Sequence, residues 1–210
     1  LHPGGTDARS MEALVAELGE GYRVILPDQR GHGRTADVDG PFSFEDMASD
    51  TADLIAALGL APVHLLGHSD GAIVSLHLAV ARPDLVRSVV FAGGVFHHEG
   101  WLPGTLDGEP PSFMGSPDGR DHWPVIVEKL SRLHATSPSL SVEDLRSVRL
   151  PVLVVMGDDD EPRVEHILEM FRALPDGELA VLPRASHGFN VEKPRLLAML
   201  VRDFHAPDKN

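Results

Sequence analysis

The chain has 210 residues, enough for one well-buried domain. Acidic residues outnumber basic ones 32 to 18, and the formal net charge of −14 argues against a basic surface for nucleic acid or anionic membrane. The absence of cysteine excludes disulfides, thiol catalysis and Cys-based zinc sites, and it suits a reducing cytoplasm. No apolar run reaches transmembrane length, and nothing in the pattern sets the oligomeric state.

Short apolar runs alternate with helical segments, the pattern of an α/β protein with a mainly parallel sheet. YRVILPD (22–28) reads as a strand of continuous apolar character, followed by the Gly-rich turn QRGHGRT. SFEDMASDTADLIAALG (43–59) reads as a helix capped near Ser43, acidic in its first turns and ended by Gly59. PVHLLG (62–67) is the next strand and GAIVSLHLAVARP (71–83) a helix broken by Pro83. VRSVVFAG (86–93), LPVLVVMG (150–157) and GELAVLP (177–183) complete the strands. RVEHILEMFRALP (163–175) and VEKPRLLAMLVRDFH (191–205) are the helices that follow the last two. Between 95 and 149 the alternation stops, in a proline-rich segment that holds both tryptophans and two expected helices, 124–135 and 141–148. The organisation is therefore a single core made of 1–94 and 150–210, with a short lid inserted at 95–149.

One serine stands out. In HLLGHSDGAIVSL (64–76), Ser69 lies between two glycines, with a strand before it and a helix after it. A G-x-S-x-G alone would occur by chance in roughly one such sequence in eight, so the strand–turn–helix context carries the weight. Gly67 and Gly71 are required if side chains there would collide with the neighbouring strand and helix. A serine nucleophile needs a base, and His187 follows the last strand in PRASHGFNVEKP. It also needs an acid to orient that base. Asp160 lies where the chain leaves VLVVMGDDDEP, whereas Asp158 and Asp159 fit solvated or turn-bracing roles. The backbone N–H groups of Asp70 and of Gly4, in LHPGG, are the candidate oxyanion donors.

The blocks LHPGG, YRVILPDQRGHGRT, HLLGHSDGAIVSLHLA, LPVLVVMGDDDEP and SHGFNVEKP together resemble the α/β-hydrolase fold, in its branch of small esterases, lactonases and biphenyl-hydrolase-like enzymes. The resemblance implies a parallel sheet flanked by helices and a Ser69–His187–Asp160 triad. It implies a small to medium carboxylic ester or lactone as the substrate, and no cofactor or metal. Pro3 stands where relatives commonly carry glycine. In that family the LHPGG block follows a central strand lying between those at 22–28 and 62–67. The expectation is accordingly of further residues upstream supplying about three strands, without which 1–210 should fold poorly.

Other residues have competing readings. Asp70 is either a helix-N-terminal carboxylate favoured by the dipole or a selector for a substrate cation, since some relatives with G-x-S-D-G act on α-amino esters. His122 and Trp123 are candidate pocket-lining residues in the lid. RGHGRT (30–35) reads as a structural turn, HHE (97–99) as a lid edge, and His64, His77 and Phe189 as core. The alternatives to an esterase are a ligand-binding, non-catalytic member of the fold, a cofactor-free haloperoxidase-like activity, and a C–C bond hydrolase.

Overall fold

The computed structural model describes residues 1–105 and 111–206; the turn-rich expectation at 106–110 lies outside the described residues. Four strands, β1 (Val63–His68), β2 (Val86–Ala92), β3 (Val152–Asp159) and β4 (Gly177–Ser186), form one parallel sheet in the order β1-β2-β3-β4. Register pairs Gly67 with Phe91, Ala92 with Val155, and Val155 with Ala180. All four carboxyl ends therefore meet at one edge, where ligands of open parallel sheets bind.

The helices are α1 (Glu12–Leu18), α2 (Phe44–Ala57), α3 (Asp70–Ala81), α4 (Trp123–Thr136), α5 (Val142–Ser147), α6 (Val164–Ala173), α7 (Phe189–Glu192) and α8 (Pro194–Phe204). Strand side chains alternate between two apolar cores. Val89, Phe91, Val152, Val154 and Met156 join α2–α6 on one side, while Val90, Ala92, Leu153 and Val155 join α1, α7 and α8 on the other. Ser43 caps α2 by accepting from the Asp46 N–H, and Ser141 and Asp144 form a reciprocal capping box on α5.

Four local readings change. The 191–205 helix divides at Lys193, whose φ of −128° and ψ of 40° leave the helical region because the following Pro194 disfavours the helical conformation there. Helix α1 has no counterpart in the sequence reading; Leu14 and Leu18 are its buried stripe, and Met11 just before it joins the same core. The segment 22–28 is not a strand. Among the described residues it has no ladder partner, and Val24 and Ile25 are each 39% exposed. An apolar groove of about 590 Å³ separates it from β1, lined by Leu26, Ile55, Val63, Leu66 and His205 among others. His64 on β1 faces this open side, so it is exposed rather than core. Leu1 runs beside β1, its amino group donating to the Leu66 carbonyl at 2.5 Å and its carbonyl accepting from the His68 N–H at 3.1 Å. Among the described residues no helix is long and apolar enough to cross a membrane.

Candidate active site

Ser69 joins β1 to α3 with φ 54° and ψ −121°. A positive φ is costly for a residue with a β-carbon, and it persists only where the surroundings enforce it. Here they do. A methyl group on Gly67 would lie 2.0 Å from the Gly71 carbonyl oxygen, and one on Gly71 would lie 2.3 Å from the Leu1 carbonyl oxygen. At Gly67 the strand and helix approach too closely for any side chain, and at Gly71 the main chain of Leu1 and His2 excludes one. The Ser69 N–H donates to the Ala92 carbonyl at 2.8 Å, which fixes the turn to the end of β2. Helix α3 begins at Asp70, so its first N–H groups have no acceptor within the helix and its positive dipole end faces the site.

Asp160 and His187 leave β3 and β4 at the same edge. His187 Nδ1 is 2.7 Å from Asp160 Oδ1. The Asp160 carboxylate also accepts from the N–H groups of Gly157 (3.0 Å) and Glu161 (2.8 Å), which set its orientation. Burial alone would raise the Asp160 carboxyl, but the His187 bond and charge and those two N–H donors hold it below the usual carboxylate range. Burial would likewise lower His187, yet the Asp160 bond and the charges of Glu161 and Asp160 raise it above an ordinary histidine. With Nδ1 committed to Asp160, Nε2 is the ring nitrogen left for proton transfer. Asp158 braces the turn by accepting from the Ala185 N–H at 3.0 Å. Ser186 and Glu192 close the loop around His187 through two further bonds of 3.0 and 2.6 Å.

Two buried histidines hold the loops in front of the serine. His2 Nε2 accepts from the Gln29 N–H at 2.9 Å, and His32 Nε2 accepts from the Gly5 N–H at 3.1 Å. Burial pushes His2 down to about 4, so it stays neutral and keeps that acceptor. The RGHGRT stretch is a turn built on Asp28, whose carboxylate accepts from the N–H groups of Ala8 and Arg34. The sequence signal for this brace is a histidine in each of the two Gly-rich loops, LHPGG and RGHGRT.

The remaining candidates are placed as follows. Gly4 lies directly against Asp70: a methyl group there would fall 2.1 Å from Asp70 Oδ2. The Asp70 side chain is 6% exposed and bound by His134 of α4, not open to solvent. His122 Nε2 is 2.8 Å from Asp37 Oδ2, and Lys129 completes that cluster at 2.7 Å. Trp123 is buried, its indole N–H donating to the Pro111 carbonyl at 2.8 Å and its ring set edge-on to His32. Phe189 is fully buried under His68, as a core residue. His77 is buried and stacked on Phe44, but its Nε2 has no partner among the described residues. His68, beneath His187 at 5.0 Å between ring centroids, is held neutral by burial, with its value near 3. Two residues missing from the sequence reading also border His187. Glu161 Oε2 is 3.6 Å from His187 Nε2, and the Trp101 ring stands edge-on at 6.1 Å.

A strained serine between strand and helix, at the same sheet edge as a histidine–aspartate pair, agrees with the comparison to protein families. The model described as "Alpha/beta hydrolase family" matches residues 1–200. The chain belongs to that family. It is a hydrolase of the α/β fold. It is 28% identical to a non-heme chloroperoxidase of Burkholderia pyrrocinia, covering 80% of this chain and 76% of that one. It is 24% identical to an (E)-2-((N-methylformamido)methylene)succinate hydrolase of Acinetobacter baylyi, covering 92% and 84%. The solved enol-lactonase of Burkholderia xenovorans LB400 superposes with a TM-score of 0.77 at 23% identity, covering 97% of this chain and 88% of that one.

Proposed function

We propose that the protein is a serine hydrolase that cleaves a small to medium carboxylic ester or lactone through an acyl-Ser69 intermediate. The observation that carries this reading is the φ of 54° at Ser69, enforced by Gly67 and Gly71 at the edge where His187 and Asp160 meet. Ser69 Oγ attacks the carbonyl carbon while His187 Nε2 takes its proton. Asp160 accepts from Nδ1–H and stabilises the imidazolium. The oxyanion is received by the N–H groups of Asp70 and Gly4, each such donor contributing about 3 kcal/mol in sites of this kind. His187 then returns the proton to the departing oxygen. It next takes one from water, which adds to the acyl carbon; as the bond to Ser69 Oγ breaks, His187 returns that proton to Oγ, releasing the acid and the free serine. No step requires a cofactor or metal. The 95–149 segment, tied to the core by Asp37 and Asp70, acts as the lid over this edge.

An enol-lactonase among the fold neighbours and an (E)-2-((N-methylformamido)methylene)succinate hydrolase among the relatives support hydrolysis as the chemistry. The chloroperoxidase relative keeps a second reading open, in which the acyl-enzyme is attacked by peroxide rather than water. The test is a panel of p-nitrophenyl esters of increasing acyl length together with lactones, assayed with and without peroxide. Hydrolysis without peroxide that disappears in Ser69→Ala supports the reading. A folded protein inert towards every ester and lactone contradicts it.

A further inference from the structure

We infer that Glu161 and Trp101 form a subsite for a cationic group of the substrate, beside the reacting edge of His187. The inference rests on the acyl-transfer reading above and names the substrate class for that site.

The two residues are placed by backbone pairing. The Leu102 N–H donates to the Glu161 carbonyl at 2.9 Å and the Arg163 N–H to the Gly100 carbonyl at 2.8 Å, with a bridge between Trp101 and Pro162. The stretches 100–102 and 161–163 therefore run antiparallel and hold both side chains next to His187. Asp160 is covered and occupies Nδ1, whereas Glu161 stands on the Nε2 side, 3.6 Å away, and its side chain is 44% exposed. No side-chain hydrogen bond to the Glu161 carboxylate occurs among the described residues. Arg163 does not neutralise it, because its guanidinium is directed to the Glu99 carbonyl at 2.7 Å. Trp101 is 8% exposed and its indole nitrogen has no partner among the described residues.

Glu161 and Trp101 both border His187, and a carboxylate with an aromatic ring nearby is the chemistry that holds an ammonium group, by charge and by the ring's negative face. The same carboxylate opposes an anionic acyl chain at that distance from the reacting nitrogen. Asp70, the carboxylate nearer to Ser69 in sequence, is unavailable for this role because His134 holds it in the interior. The site is thus arranged for an ester whose acyl part carries a cation near the scissile bond, and against a dicarboxylate half-ester.

The test compares kcat/KM for phenyl esters of trimethylglycine, of its uncharged isostere tert-butylacetic acid, and of succinic acid as the monoanion. The wild-type protein should favour the cationic ester over its neutral isostere by at least tenfold and the neutral over the anionic. Glu161→Gln should bring the cationic-to-neutral ratio near one, Glu161→Lys should place the anionic ester first, and Trp101→Leu should reduce the cationic preference. A second readout is the pH profile with the neutral ester. His187 is faced by Asp160, Glu161, His68 and Asp70, and loss of the Glu161 charge should move the acid limb to lower pH. Unchanged ratios in both Glu161 variants, with esters still hydrolysed, would overturn the subsite and leave the hydrolase reading standing. Failure of the wild-type protein to turn over any ester or to accept a fluorophosphonate at Ser69 would overturn both.

Discussion

His134 Nε2 stands 2.8 Å from Asp70 Oδ1 and 3.0 Å from Oδ2, tying helix α4 to the residue that follows Ser69. Burial would raise the Asp70 carboxyl, but the charge and bond of His134, followed by His32 and His2, hold it below its usual range. Burial would lower His134, and the Asp70 charge and bond raise it instead. The pair contributes fully between the unfolded-state values, about 3.9 for aspartate and about 6.5 for histidine. Its contribution fades below that window as pH falls through the depressed Asp70 value, and above it as pH rises through the raised His134 value. Asp70→Ala and His134→Ala should each cost about 3–5 kcal/mol in urea unfolding at pH 6, with the double variant well short of the sum. A His134→Ala cost under about 1 kcal/mol would show the pair is not formed.

The base must be neutral to act, so kcat/KM for an uncharged ester should rise with pH along a limb that reports His187. Because Asp160 and Glu161 outweigh burial there, the limb should lie above the ordinary histidine value of about 6.5. Asp160→Asn should move it downward and reduce kcat by about 10⁴-fold, through the loss of imidazolium stabilisation and of the Nδ1–H tautomer. An unmoved limb in Asp160→Asn would remove Asp160 from the site.

Two glycines should separate folding from chemistry. A methyl group at Gly67 meets main-chain atoms 2.0–2.4 Å away that cannot yield, so Gly67→Ala should lose more than about 3 kcal/mol of unfolding free energy. At Gly93, with φ 63°, the same methyl group lies 3.2–3.3 Å from side-chain atoms of His68, Phe189 and His187. Gly93→Ala should remain folded at a cost of about 1–2 kcal/mol, yet lose at least tenfold in kcat/KM as His187 is displaced. Equal activity of Gly93→Ala and wild type would contradict that packing.

The parts of the site legible in the sequence are those fixed by local chain geometry. Gly67 and Gly71 flank a serine between an apolar strand and a helix, and Asp160 and His187 directly follow strands. What escaped depends on neighbours remote in sequence. Asp70 reads equally well as a dipole-favoured carboxylate or a substrate selector until His134, 64 positions away, is seen bound to it. His122 faces Asp37, 85 positions back, which no periodicity announces. Segment 22–28 has strand composition, but a strand is made by its partner, and composition cannot supply one. Glu161 looks like one more acid in GDDDEP, and only the bridge between Trp101 and Pro162 brings it to the reacting edge of His187.

The central claim is that Ser69 is the nucleophile, and active-site labelling addresses it most directly. The protein should react with a fluorophosphonate probe at a one-to-one ratio, with peptide mass spectrometry placing the adduct on Ser69 and Ser69→Ala abolishing it. An adduct retained in Ser69→Ala, or a folded protein that takes up no probe, would contradict the account.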